Sequence, residues 1–270
     1  MCFCIAQINL ALLSVFTIFV QIKREIMDKM LIKIWSDIAC PYCYIGKRQL
    51  ESALQQFGHQ DEIELEWHSY ELNPDLPRKA LDKNIYQFMA EQFSITEEEQ
   101  KKNMQGLVSL AASVGLQYNF DKLVVTNTND ALRLVKLANV YQLADEAEEA
   151  LFKAYFTDGK NISDRTVLID LGKGIGLSEN EIANMLDGDT FKNDIKEDII
   201  YSEEKLDLQY IPFYLLNNKD IIQGSLTIEE YVKALDKSYN DWKQNGIASA
   251  DEKGSRTKGR ACSADGMCSL

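Results

Sequence analysis

The stretch Leu31-Ile32-Lys33-Ile34-Trp35-Ser36-Asp37-Ile38-Ala39-Cys40-Pro41-Tyr42-Cys43-Tyr44-Ile45-Gly46-Lys47-Arg48 decides how this chain folds. Residues 31–35 read as a short apolar strand, and Ser36-Asp37 leads from it into a turn carrying a C-x2-C pair. From Pro41 to Phe57 the apolar positions Tyr44, Ile45, Leu50, Ala53, Leu54 and Phe57 recur at helical spacing. That makes Pro41 the first helical residue, where a missing N–H costs nothing. Further on, Ile63, Leu65 and Trp67 alternate with Glu62, Glu64, Glu66 and His68, the period-two pattern of a half-buried strand. Residues 31–70 therefore read as β-α-β with Cys40 at the helix N-terminus.

That position has chemical consequences. A thiolate is the nucleophile of thiol–disulfide exchange, and the N–H groups left unpaired in a first helical turn stabilise negative charge. Cys40 is thus the expected attacking thiol. Cys43, one turn further on, can reach the first sulfur and resolve a mixed disulfide by forming an intramolecular one. A C-x2-C pair is also half of a zinc site, and cysteines serve simple packing too. A pair that follows an apolar strand and opens a helix is the context of a thioredoxin-like redox site, so no metal is expected here.

After Asn73-Pro74-Asp75-Leu76-Pro77 helix signals run on to about residue 206. Thr96 with Glu99 and Ser178 with Glu181 form capping-box pairs, residues 127–129 precede a long helical stretch, and Gly115, Gly159, Gly176 and Gly188 punctuate the run. Glu97-Glu98-Glu99 reads as a helix start favoured by the macrodipole, and Asp130 with Arg133 as a local helix pair. Strand character returns at Pro212-Phe213-Tyr214-Leu215-Leu216, turns at residues 217–220, resumes at Ile221-Ile222 and gives way to a helix over about 227–242. From Gln244 onward Gly, Ser, Ala, Lys and Asp dominate, the composition of a flexible tail. In a thioredoxin-like arrangement the Ile211-Pro212 bond is cis and lies against the two cysteines, offering the Ile211 backbone to an extended substrate by strand addition. The plainer alternative is a trans proline that opens a strand.

Composition narrows the function. With 29 Lys+Arg against 42 Asp+Glu the net charge is −13, so no basic stripe exists to neutralise phosphates and nucleic acid is not an expected partner. Six cysteines among 270 residues are too few for a disulfide scaffold. Residues 5–21 are apolar, yet no Lys or Arg precedes Lys23 and no small-residue cleavage pattern follows, which argues against a cleaved signal. Residues 1–26 read as a leader outside the mature protein, with Met27 or Met30 as the start. The alternative is an anchor through residues 2–22 that leaves the domain on the cytoplasmic side. Both readings expect a cytoplasmic, reducing environment and no membrane partner for the domain itself.

The run from Ile34 to Arg48 closely resembles the active-site segment of DsbA-family thiol oxidoreductases of the FrnE-like branch. Glu71-Leu72-Asn73-Pro74-Asp75 resembles that family's exit from the second strand, Asn127-Thr128-Asn129-Asp130-Ala131-Leu132-Arg133-Leu134 its helical-insert motif, and Ile211-Pro212-Phe213 its cis-proline loop. The resemblance implies an α/β, thioredoxin-like fold with an all-helical domain inserted after the second strand. Residues 31–73 and 207–243 would form the thioredoxin-like part, 74–206 the insertion and 244–270 a tail with a Cys pair. It implies dithiol–disulfide exchange with disulfide- or thiol-containing proteins. Cys40 and Cys43 would be catalytic, and Pro41, Tyr42, Ile211 and Pro212 would contact substrate. No bound cofactor is implied, with glutathione as an available redox partner. Glutathione-dependent isomerases and kappa-type transferases of the same superfamily are the second reading, although they usually lack the resolving thiol. A binding module without turnover is a third.

Cys262 and Cys268 flank an Asp-Gly turn, as FrnE-like tails often do, and are expected either to exchange with Cys40-Cys43 or to be a mere surface pair. Asp37 is expected either to relay a proton to Cys43 or to bond the turn that follows it. His68 reads as a strand-surface residue and His59 as part of a polar turn.

Overall fold

The computed structural model describes residues 29–249 and 253–263; the leader and Cys268 lie outside the described residues. Strand β1 (Met30–Ser36) carries Met30, Ile32 and Ile34 on one buried face, and the chain turns through Asp37 into helix α1 (Pro41–Phe57). Proline occupies the start of α1, and Gly58, at φ +80°, ends it by donating its N–H to the Leu54 carbonyl. Strand β2 (Ile63–Ser69) then pairs parallel to β1, from Met30 opposite Ile63 to Ser36 opposite Ser69. A parallel pair needs such a crossover, and α1 is it.

Seven α-helices among the described residues separate β2 from the strands that follow it in the chain: α2 (Ile85–Phe93), α3 (Glu97–Ser113), α4 (Asn129–Val140), α5 (Ala144–Phe152), α6 (Arg165–Gly174), α7 (Glu179–Asp187) and α8 (Lys192–Leu206). Thr96 and Glu99 close the expected capping box at α3. Ser178 sits at the N-cap of α7, but its hydroxyl makes no capping bond. Asn127 donates to the carbonyls of Pro74 (3.2 Å) and Leu76 (3.1 Å), tying the exit from β2 to the start of α4. Arg133 pairs with Asp130 at 2.7 Å as expected, and being fully buried it also reaches the Thr190 and Gly188 carbonyls, both at 2.8 Å.

After α8 come β3 (Tyr210–Ile211), β4 (Phe213–Leu216) and β5 (Asp220–Gln223), the last two joined by the three-residue turn Asn217-Asn218-Lys219, in which both asparagines have positive φ and Lys219 N–H donates to the Leu216 carbonyl at 3.0 Å. Strand β4 is antiparallel to both β1 and β5, and helix α9 (Ile228–Asn245), opened by a Thr227–Glu230 capping box, packs against α1. The result is an α/β, thioredoxin-like fold with a helical insertion after the second strand.

Two features depart from the sequence reading. The segment taken as flexible carries β6 (Arg256–Lys258), parallel to β5, and β7 (Cys262–Ser263), antiparallel to β3. The main sheet therefore runs β2-β1-β4-β5-β6. The glycines that read as looseness are points of close backbone approach. A Cβ on Gly254 would stand 2.3 Å from the Lys219 carbonyl oxygen, and one on Gly259 2.2 Å from that of Ser225. Asp220 fastens the segment, accepting from Ser255 N–H at 2.6 Å and Ser255 Oγ at 2.8 Å. The second departure is His68, which is not a surface residue. It stacks on Trp35 with ring centroids 4.4 Å apart, and its Nδ1 lies 2.7 Å from Asp198 Oδ1 of α8. Helix α8 covers the sheet face that alternation alone assigns to solvent. Desolvation opposes the imidazolium there, but hydrogen bonds to Asp198 and Glu66 outweigh it and raise the His68 pKa.

Candidate active site

The turn between β1 and α1 holds the two thiols by backbone bonds. Cys40 N–H donates to the Asp37 carbonyl (2.9 Å) and Cys43 N–H to the Cys40 carbonyl (3.1 Å). Cys40 is the N-cap of α1, in extended backbone at φ −87° and ψ 112°. Both cysteines are free thiols, and both are buried, at 0% and 2% exposure. Burial pushes the Cys43 thiol well up, a hydrogen bond to Cys40 and that sulfur's charge push it further, and the Asp37 N–H and Ser36 hydroxyl only partly oppose this. Cys43 thus keeps its proton and donates toward Cys40. On the other side of Cys40 the Ile211 carbonyl oxygen lies 3.8 Å from Sγ, and the Ile211–Pro212 peptide is cis.

The remaining expected residues surround this pair. Tyr42 is buried, and its hydroxyl is pushed up to about 12, by burial first and by the Cys40 charge, against the pull of Arg260. The Pro41 carbonyl accepts from Tyr118 Oη at 2.6 Å. The Asp37 carboxylate accepts from Leu72 N–H at 2.7 Å, Ala39 N–H at 3.2 Å and the Thr128 hydroxyl. Burial outweighs these bonds and raises its pKa to about 6. The Asp37 side chain bonds the turn that follows it, and its main-chain N–H faces Cys43.

Helix α5 and the π-helical turn that continues it (Lys153–Thr157) press an aromatic stack onto α1: Tyr44 lies 4.9 Å from Phe152, and Tyr118 lies 4.7 Å from Phe156, centroid to centroid. Tyr44 Oη donates to Glu149 (2.8 Å), and buried Lys47 pairs with Asp145 (2.9 Å) and Glu51. A cavity of about 290 Å³ opens between Asp37, Ala39 and Pro41 on one side and apolar residues such as Phe88, Met104 and Phe120 on the other. Sequence reading missed Ser36, which faces Cys43 from the end of β1, and Tyr118 and Glu148, which packing brings to Pro41 and to Ser36.

Gly46, one turn past Cys43, has no room for a side chain. A Cβ there would meet Tyr214 Oη at 2.6 Å and Pro212 Cγ at 3.1 Å. Gly46→Ala is therefore expected to destabilise the protein by about 1–3 kcal/mol despite the better helix propensity of alanine. It should also displace the Pro212 loop from Cys40. Urea unfolding, with the alkylation rate of Cys40 in the folded protein, checks both parts; a stabilised variant would contradict the packing described.

The C-terminal segment reaches the same place. Strand β7 sets Cys262 opposite Ile211 and Ser263 opposite Tyr210, so it occupies the strand edge that precedes Pro212. Cys262 is buried and disulfide-bonded, its partner lying outside the described residues. Among the described residues no group of side chains is arranged to hold a metal, and no helix is long and apolar enough to cross a membrane.

Comparison with known proteins agrees with this fold. The model of the DSBA-like thioredoxin domain family matches residues 31–236. An uncharacterized protein of Bacillus subtilis, YwbO, is 24% identical over 206 residues, which are 76% of this chain and 94% of that protein. Among solved structures, a probable DsbA oxidoreductase from Streptomyces coelicolor is 26% identical with a TM-score of 0.76, over 89% of this chain and 99% of that one. The cytosolic disulfide reductase DsbM from Pseudomonas aeruginosa, solved with GSH, shares the fold at 16% identity and a TM-score of 0.53, over 79% of this chain and 98% of its own.

Proposed function

Since the chain belongs to the DSBA-like thioredoxin domain family, we propose that it is a thiol–disulfide oxidoreductase working through the Cys40-Pro41-Tyr42-Cys43 dithiol. The observation that carries this reading is the division of roles between the two thiols. Cys43 is sealed, keeps its proton and points it at Cys40, while Cys40 faces the Ile211 carbonyl beside the cis Pro212. Cys40 thiolate attacks a substrate disulfide, forming a mixed disulfide and releasing one substrate thiolate. Cys43 then attacks Cys40 Sγ, closing the Cys40–Cys43 bond and releasing the second. The reverse sequence oxidises a substrate dithiol. Tyr42, Pro41, Ile211 and Pro212 are the proposed substrate contacts, thiol- or disulfide-containing proteins and glutathione the proposed partners, and the cytoplasm the proposed compartment.

Cys262 and Cys268 are proposed as a second redox pair that exchanges with Cys40-Cys43, supported by the register of Cys262 against Ile211.

A glutathione redox titration of the full chain, with alkylation and mass spectrometry to assign each cysteine, tests the reading. The expected result is a Cys40–Cys43 disulfide that forms and reopens across the titration. A Cys40 that carries glutathione while Cys43 stays silent would instead install the glutathione-dependent isomerase or transferase reading.

A further inference from the structure

Cys43 is 2% exposed, so the proton it must lose before attacking, and regain when displaced, has no direct route to water. The carboxylate nearest in sequence, Asp37, is engaged by Leu72, Ala39 and Thr128. The Ser36 hydroxyl, at the end of β1 and fully buried, faces Cys43 on one side and Glu148 Oε2 of α5 at 3.4 Å on the other. Glu148 is itself 1% exposed, and no salt bridge pairs it among the described residues.

We propose that Glu148, brought to the dithiol by the helical insertion, holds the proton that Cys43 gives up and takes back, with Ser36 Oγ as the connecting hydroxyl. The inference deepens the dithiol reading and rests on it. Once Cys40 Sγ is tied into the mixed disulfide the Cys43 S–H turns from it to Ser36, and as Cys43 attacks, that proton passes to Ser36 Oγ while the Ser36 hydroxyl proton passes to the Glu148 carboxylate. The Cys43 thiolate forms the Cys40–Cys43 bond, the mixed-disulfide bond breaks, and the substrate sulfur leaves with the electron pair. The two enzyme sulfurs are oxidised and the substrate disulfide is reduced. In the opposite direction protonated Glu148 returns the proton to Cys43 as it is displaced. A contact of 3.4 Å is long for a hydroxyl–carboxylate bond, and such contacts commonly tighten as charge develops in the reacting complex.

The surroundings suit the task. The groups that face Glu148 are Lys47 of α1, Asp145 of its own helix, Asp37 after β1 and the Ser36 hydroxyl. Lys47 is drawn toward Asp145 and Glu51, which weakens its hold on Glu148. Burial raises the Glu148 pKa most, Lys47 opposes, Asp145 and Asp37 add to the rise, and the result is about 8. A group titrating just above neutrality can both donate and accept.

The test mixes reduced full-length protein with oxidised glutathione, quenches with acid at intervals, and follows by mass spectrometry the rise and decay of the Cys40–glutathione mixed disulfide from about pH 6 to pH 10. In the wild type the decay rate is expected to climb and level off around the Glu148 value of about 8. Glu148→Gln should slow decay by about 10²-fold at pH 7, with a much smaller effect on formation of the mixed disulfide. It should also lose the levelling, because hydroxide then has to remove the Cys43 proton. Ser36→Ala should behave like Glu148→Gln, and Glu148→Asp should restore the levelling. A Gln variant that keeps the wild-type decay rate and profile overturns the relay. So does one that slows both steps alike with the levelling intact, since that is the mark of a structural role. A wild type that never closes the Cys40–Cys43 bond overturns the dithiol reading itself, a different result from either.

Discussion

A Cys40→Ser chain is expected to lose disulfide exchange altogether, by on the order of 10⁴-fold or more, whereas Cys43→Ser should complete the first step and stop there. Cys40 caps α1, and of the two thiols it is the one whose Sγ lies beside the Ile211 carbonyl. Cys43 faces inward, and its proton is held by burial and by the bond to Cys40. The single variants should therefore differ in kind. Cys40→Ser leaves a buried thiol that no substrate reaches, while Cys43→Ser accumulates a covalent mixed disulfide on Cys40. Insulin reduction measures the first, and mass spectrometry under non-reducing conditions measures the second. Trapped adducts on Cys43 in the Cys40→Ser chain would reverse the assigned roles.

The second large effect concerns access. Cys40 is fully buried in a structure where β7 lies along β3 and Arg260 stands near Tyr42. Gly259→Val should lift this segment without touching β1 or α1, because any Cβ at 259 collides with the Ser225 backbone. If that collision costs about 1–3 kcal/mol, the open form gains about fivefold to 140-fold, at tenfold per 1.4 kcal/mol. The alkylation rate of Cys40 should rise by the same factor, and KM for an extended peptide disulfide should fall. An unchanged alkylation rate would mean that the C-terminal segment does not control entry.

Much of this arrangement is legible in the sequence, for local reasons. The β-α-β unit follows from a short apolar run, then a period of 3.6, then a period of two, with Pro41 at the helix start. The Thr96–Glu99 box likewise marks the start of α3. What the sequence hides depends on neighbours far away in the chain. His68 falls on the polar side of its strand, and nothing local says that α8 covers that side. Glu148 shares the buried face of α5 with Ala144, Leu151 and Phe152, but the residues it meets there, Ser36 of β1 and Lys47 of α1, lie about a hundred positions away in sequence. The C-terminal glycines have the composition of a linker, and the carbonyls they approach belong to residues more than thirty positions away in sequence.

Strand β6 also bears on solubility. The two margins of the main sheet are protected differently. At β2 the exposed Glu64 and the half-exposed Glu66 discourage another strand from adding, by charge. At β5 the side chains are Ile221 and Ile222, buried with β6 in place, and β6 fills the hydrogen-bonding positions beside them while turning Arg256, Thr257 and Lys258 to solvent. A chain shortened to end before residue 253 would present β5 as an open, apolar margin, and such margins recruit strands from other molecules. The C-terminal segment thus also acts as a guard against self-association, and light scattering of the shortened chain would register its removal as concentration-dependent aggregation.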